Sequence, residues 1–87
     1  MAIKNMIVEL TAGTDGYKDK AQIKTIVICP SNTNWALKLV DSTGATITNV
    51  FGAAKESLVI PLNMNEFVDN INVATWTNIT SVQISIA

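Results

Sequence analysis

Eighty-seven residues of 9.4 kDa, with six lysines, seven acids and a net charge of −1, make one domain. Arginine and histidine are both absent. That removes the usual bidentate reader of phosphate and guanine, and with it the commonest general base, proton shuttle and metal ligand, so nucleic-acid binding and Ser–His or Cys–His catalysis are not expected.

The first predicted strand covers residues 3–10 (IKNMIVEL), with Met6, Val8 and Leu10 on one face and Asn5 and Glu9 on the other. Residues 11–21 (TAGTDGYKDKA) form a loop with Gly13, Gly16 and two aspartates as turn formers. Standing ahead of that loop, the first strand is free to pair with its own sheet or with another subunit. Residues 22–29 (QIKTIVIC) are a β-branched strand that ends at Pro30, which has no N–H to give a ladder. Residues 31–34 are a polar turn.

Residues 35–41 (WALKLVD) alternate Trp35, Leu37 and Leu39 against Ala36, Lys38 and Val40. Ser42, Thr43 and Gly44 make a hairpin loop, with Gly44 placed to take positive φ. Residues 45–51 (ATITNVF) return. After a turn at 52–56, residues 57–62 (SLVIPL) form a strand that Pro61 assigns to an edge or a strand end. Residues 63–70 (NMNEFVDN) fit either a single helical turn capped by Asn63 or Asn65, or a wide loop. Residues 71–76 (INVATW) are a strand, 77–80 a turn, and 81–86 (SVQISI) a last strand with Val82, Ile84 and Ile86 inward. About seven short strands at this spacing predict an all-β fold, a small antiparallel β-sandwich or barrel occupying residues 1–87.

Charged residues are 15% of the chain, against about 25% in an average domain. Hydrophobic residues are 48%, and mean hydropathy is +0.31. Nine Asn and ten Thr replace part of the missing charge, and both desolvate more cheaply than Lys or Glu. A chain of this size hides only about 63% of its extended surface on folding. Such a neutral surface suits burial against other proteins. The single cysteine, Cys29, rules out an internal disulfide; its place in an apolar strand suggests a small buried hydrophobe. Neither a secretory signal nor a membrane-length apolar run is visible. Met1 reads as a native start and the strand ending at Ala87 as the close of a whole gene product made in a cytoplasm.

The acids, Glu9, Asp15, Asp19, Asp41, Glu56, Glu66 and Asp69, are scattered and fall mostly in turns. Neither the 15–19 loop nor the 63–69 loop has the dense acid alternation of a calcium loop. No catalytic residue, cofactor or metal site is therefore assigned, and an enzyme is not expected. Asn78-Ile79-Thr80 matches a glycosylation pattern but is short. Among the aromatics, Trp35 heads an alternating strand and belongs to the core. Tyr17 and Trp76 are the candidate contacts, since Tyr and Trp most often anchor interfaces. Ile3, Met6 and Val8 of the first strand join them as candidate interface residues.

Strand spacing, Asn/Thr richness and low charge, with the run SLVIPLNMNEFVDNINVATWTNITSVQISI at 57–86, resemble small tailed-phage virion proteins of the head-decoration or cement type. That resemblance implies a β-sandwich in a virion, bound outside a capsid as a homo-oligomer, often a trimer. It would bridge neighbouring subunits of the major capsid protein. The reading from another class is a carbohydrate- or ligand-binding module, with Tyr17, Trp76 and the Asn-rich loops as a sugar platform.

Overall fold

The computed structural model describes residues 6–31, 34–53, 57–62 and 66–86. Eight strands follow one another: β1 (Met6–Leu10), β2 (Gly16–Tyr17), β3 (Ile23–Pro30), β4 (Trp35–Val40), β5 (Thr46–Gly52), β6 (Leu58–Pro61), β7 (Ile71–Thr77) and β8 (Ile79–Ile86). They pair antiparallel into two four-stranded sheets, β1-β8-β3-β6 and β2-β7-β4-β5, here termed sheets A and B. The β4–β5 hairpin is the one connection that stays within a sheet; the other six cross between sheets. The expected β-sandwich is thus formed, with no helix among the described residues, and hence none long and apolar enough to cross a membrane.

Period-two patterning fixes which side chains fill the space between the sheets. Sheet A contributes Leu10, Ile23, Ile26, Ile28, Val82, Ile84 and Ile86; sheet B contributes Trp35, Leu37, Leu39 and Ile71. The register stacks like on like, with Ile26 between Ile84 and Ile60, and Ile28 between Val82 and Leu58. Bulges at Ile23/Thr25 in β3 and at Lys38/Leu39 and Leu39/Val40 beside β4 allow the inward set to stay inward along curved strands.

Several sequence expectations change. The first strand pairs with β8 of its own sheet, Met6 opposite Ile86 through Leu10 opposite Val82, and so is not free for a neighbour along that side. The 11–21 loop contains an eighth strand, β2, and an isolated bridge from Ala21 to Val68. That bridge, not a helical turn, organises residues 66–70; residues 63–65 lie outside the described ones. Cys29 is half-buried on the outer face opposite Ser81, because Ile26 and Ile28 take the inward positions and alternation puts Cys29 outside. The expected four-residue turn at 77–80 shrinks to Asn78, which at φ 54° turns the chain from sheet B to sheet A. Its Nδ2 donates to the Asn34 carbonyl at 2.8 Å, and its own carbonyl accepts from the Ser31 N–H at 2.9 Å and Oγ at 3.0 Å. Asn is among the few L-residues that take this conformation at low cost.

Candidate interaction surface

Two aspartates are committed to local turns. Asp15 Oδ2 accepts from the Thr11 N–H at 2.8 Å, from Thr11 Oγ1 at 3.1 Å and from the Ala12 N–H at 3.1 Å. Asp41 Oδ1 accepts from the Thr43 N–H at 2.9 Å, from Thr43 Oγ1 at 2.7 Å and from the Ala45 N–H at 3.0 Å. These donors, Thr11 foremost for Asp15 and Thr43 foremost for Asp41, hold both carboxyls below the ordinary 3.8. Gly44 at φ 86° closes the Asp41 turn as its position in the sequence predicts. Among the described residues no three of His, Cys, Asp or Glu come together to hold a metal ion.

The candidate contact residues divide. Tyr17, on β2 opposite Ile71, and Trp76, on β7 opposite Leu37, are half-buried and pack against the core. The 11–15 loop lies on Trp76, so that a Cβ at Gly13 would stand 3.0 Å from the Trp76 Cβ. Met6 and Val8 sit on the inward row of the edge strand β1; Val8 is half-buried and Met6 more open. Ile3 lies outside the described residues. The four described ones form no single patch: Tyr17 and Trp76 belong to sheet B, Met6 and Val8 to sheet A.

Larger exposed apolar groups lie elsewhere. Phe51 is 82% exposed, Ile7 66% and Val59 58%. Phe67 is exposed in the connection to β7. Strand alternation signals Ile7, which interrupts the polar face of the first strand. Phe51 carries no such signal, because alternation alone does not say which face of an edge strand is covered.

Both outer sheet faces are nearly free of charge. On sheet A the rows run Ile7–Ser85–Thr25–Pro61 and Glu9–Gln83–Val27–Val59, with Lys24 at the bulge. On sheet B they run Thr77–Ala36–Phe51 and Thr75–Lys38–Asn49. Glu9, Lys24 and Lys38 are the charged residues of these faces among the described strands.

β5 and β6 meet along one flank, where Trp35, Phe51, Gly52, Ala53, Ser57 and Leu58 line a cleft of about 120 Å³. The Trp35 ring lies so close under Gly52 that a Cβ there would stand 2.8 Å from its Cε2 and Cζ2. Trp35 is 3% exposed, and its Nε1 is buried with no hydrogen-bond partner among the described residues. A second hollow of about 360 Å³ opens on the β1 side between Met6, Ile7, Lys24, Thr25, Ser85 and Ile86. Compared with protein-family models, curated proteins and solved structures, the chain matches none.

Proposed function

We propose that this protein is a non-enzymatic structural subunit of a protein assembly, working as a brace on a shell in the manner of a capsid decoration or cement protein. The observation that carries this reading is the pair of outer sheet faces, built from Ser, Thr, Asn, Gln and apolar residues that include the exposed Ile7 and Phe51, with three charges between them. Removing such faces from water costs little, because few ionic groups lose hydration. A brace repeated by symmetry gathers many modest contacts into a strong attachment. The described acids serve turns or stand apart, which fits a role in contact rather than chemistry.

A sugar platform needs an aromatic ring laid open for stacking. Tyr17 and Trp76 lean on the core, so this alternative has less ring to offer than their position in the sequence suggests. The test is to sediment the protein through a cushion with capsid particles and image the pelleted particles. Added density repeating with the shell lattice is expected. A clean monomer that stays in the supernatant and binds oligosaccharide overturns the proposal.

A further inference from the structure

Four strands end the two sheets: β1 and β6 in sheet A, β2 and β5 in sheet B. An open edge is a template for another strand, and stable proteins usually blunt it with shortness, charge or proline. β2 is two residues long. β1 carries Glu9. β6 has four residues and ends in Pro61. Leu62 donates its N–H to the Lys24 carbonyl at 2.8 Å. By alternation Ile60 also faces β3, and Pro61 faces the free edge, where its missing N–H withholds a donor. β5 (TITNVFG) has seven residues, no proline and no charge, with a bulge at Ile47, and among the described strands it pairs with β4 alone.

We infer that β5 is an assembly seam at which two copies of this chain join, β5 to β5, antiparallel about a two-fold axis. Three observations select a second copy as the occupant. An antiparallel edge is its own complement under a two-fold, so donors and acceptors match without a foreign sequence to read. A charged edge would set like charges against each other across that axis; β5 has none, and residues 42–54 as a whole have none. Among the described residues the most exposed large apolar side chain, Phe51, stands on this strand. With Asn49 on the axis, Phe51 of one copy lies diagonally across from Asn49 of the other and loses part of its water contact there, while Ile47, the extra residue of the β5 bulge, leans on its own core.

The size of the seam sets its strength. Seven residues run about 23 Å, and the sandwich is 18 Å across its shortest dimension. That strip is roughly 400 Å² per copy and about 800 Å² in total, below the roughly 1,200 Å² of stable specific interfaces. The dimer is therefore weak in dilute solution and strengthened where a lattice brings copies together. The inference rests on the assembly reading for its purpose but not for its geometry, and the two fail separately.

Sedimentation velocity over a concentration series up to about 500 µM reads it directly. The mass should climb from 9.4 kDa toward the dimer value. Asn49→Lys and Phe51→Lys should each weaken dimerisation at least about tenfold, with melting temperatures unchanged. As a check independent of any effect of lysine on the fold, Asn49→Cys in a Cys29→Ser background gives a second readout. Opposed antiparallel Cα atoms lie about 4.5–5.5 Å apart, within disulfide reach, so mild oxidation should give a covalent dimer. A monomer at the top concentration, a trimer, or a dimer indifferent to both lysines and unable to cross-link at position 49 overturns the seam. A monomer that still binds particles also overturns it while sparing the assembly reading; a dimer that ignores particles does the reverse.

Discussion

The two flanks of the sandwich handle the same problem differently. On the β1–β2 flank the chain is stitched down: Asp15 gathers three donors, Gly16 approaches the Ile71 carbonyl so closely that a Cβ would stand 2.8 Å from it, and the Ala21–Val68 bridge follows. Lys18, Asp19 and Lys20 then keep that side hydrated. On the β5–β6 flank, residues 42–54 and 57–65 carry no charge, and the one break is Lys55-Glu56 in the connection. Phe51 and Val59 stand open there. A small domain cannot cover all its apolar surface; this one leaves Ile7 open on the first flank and Phe51 and Val59 on the second, and the second does so over the longer uncharged runs.

The largest way to break the contrast is from inside. Trp35 supports the open flank beneath Gly52, whereas Trp76 lies half-buried near the closed flank under the 11–15 loop. Trp35→Ala should cost about 3–5 kcal/mol in urea unfolding, and Trp76→Ala less than half of that. Equal losses would mean that burial does not distinguish the flanks. Next comes the corner that holds the sheets in register. Asn78→Val forces a β-branched residue into the left-handed region and removes the bond to Asn34, for about 1–3 kcal/mol. Asn78→Gly keeps the backbone conformation and should lose less; a larger loss for glycine than for valine would show that φ is not what the corner demands.

Much of this was legible in the sequence. Strict alternation in SVQISI and WALKLV fixes the inward rows, and Gly44 after Asp41 fixes the hairpin. What was not legible came from pairing between distant segments. β2 exists because Gly16 and Tyr17 lie beside β7, and no local pattern in a loop of Gly, Asp and Lys announces that. The turn expected from 77 to 80 contracts to Asn78 because consecutive strands enter opposite sheets, a choice made by the core and not by turn propensity. Tyr17 and Trp76 drew attention as aromatic types, yet their half-buried setting depends on the register against Ile71 and Leu37. Phe51 is not legible as an exposed group, because an edge strand's outward residue is known only when the sheet order is known.

A smaller effect sharpens the contrast between β5 and β6. Pro61→Val restores a donor at the blunted edge. Folding stability should move by no more than about 0.5 kcal/mol, since the change is at a surface. Self-association measured by light scattering should rise, because the flank then presents two competent edges in place of one. No change in association would mean that proline is not what keeps β6 unpaired.

The smallest expected effect is in acid, and its sign follows from the turns. Asp15 on the closed flank and Asp41 at the entry to β5 both sit below 3.8 when folded, through hydrogen bonds that favour the charged form. A group whose folded pKa is lowered adds stability that is complete above its unfolded value and is lost as pH falls through the folded one. Melting temperature should therefore show no decline traceable to these two groups from about pH 7 to 5, and should fall below about pH 4. Both side chains are at the surface, so solvent keeps each contribution small. Asp15→Asn and Asp41→Asn retain an acceptor oxygen but no titrating group, so each should remove part of the acid sensitivity, and the double variant most of what the two turns supply. If Asp41→Asn alone also lowers stability near neutral pH while Asp15→Asn does not, the hairpin into β5 depends on its charge and the loop over Trp76 on its packing. The two flanks would then differ in what holds them as well as in what they expose.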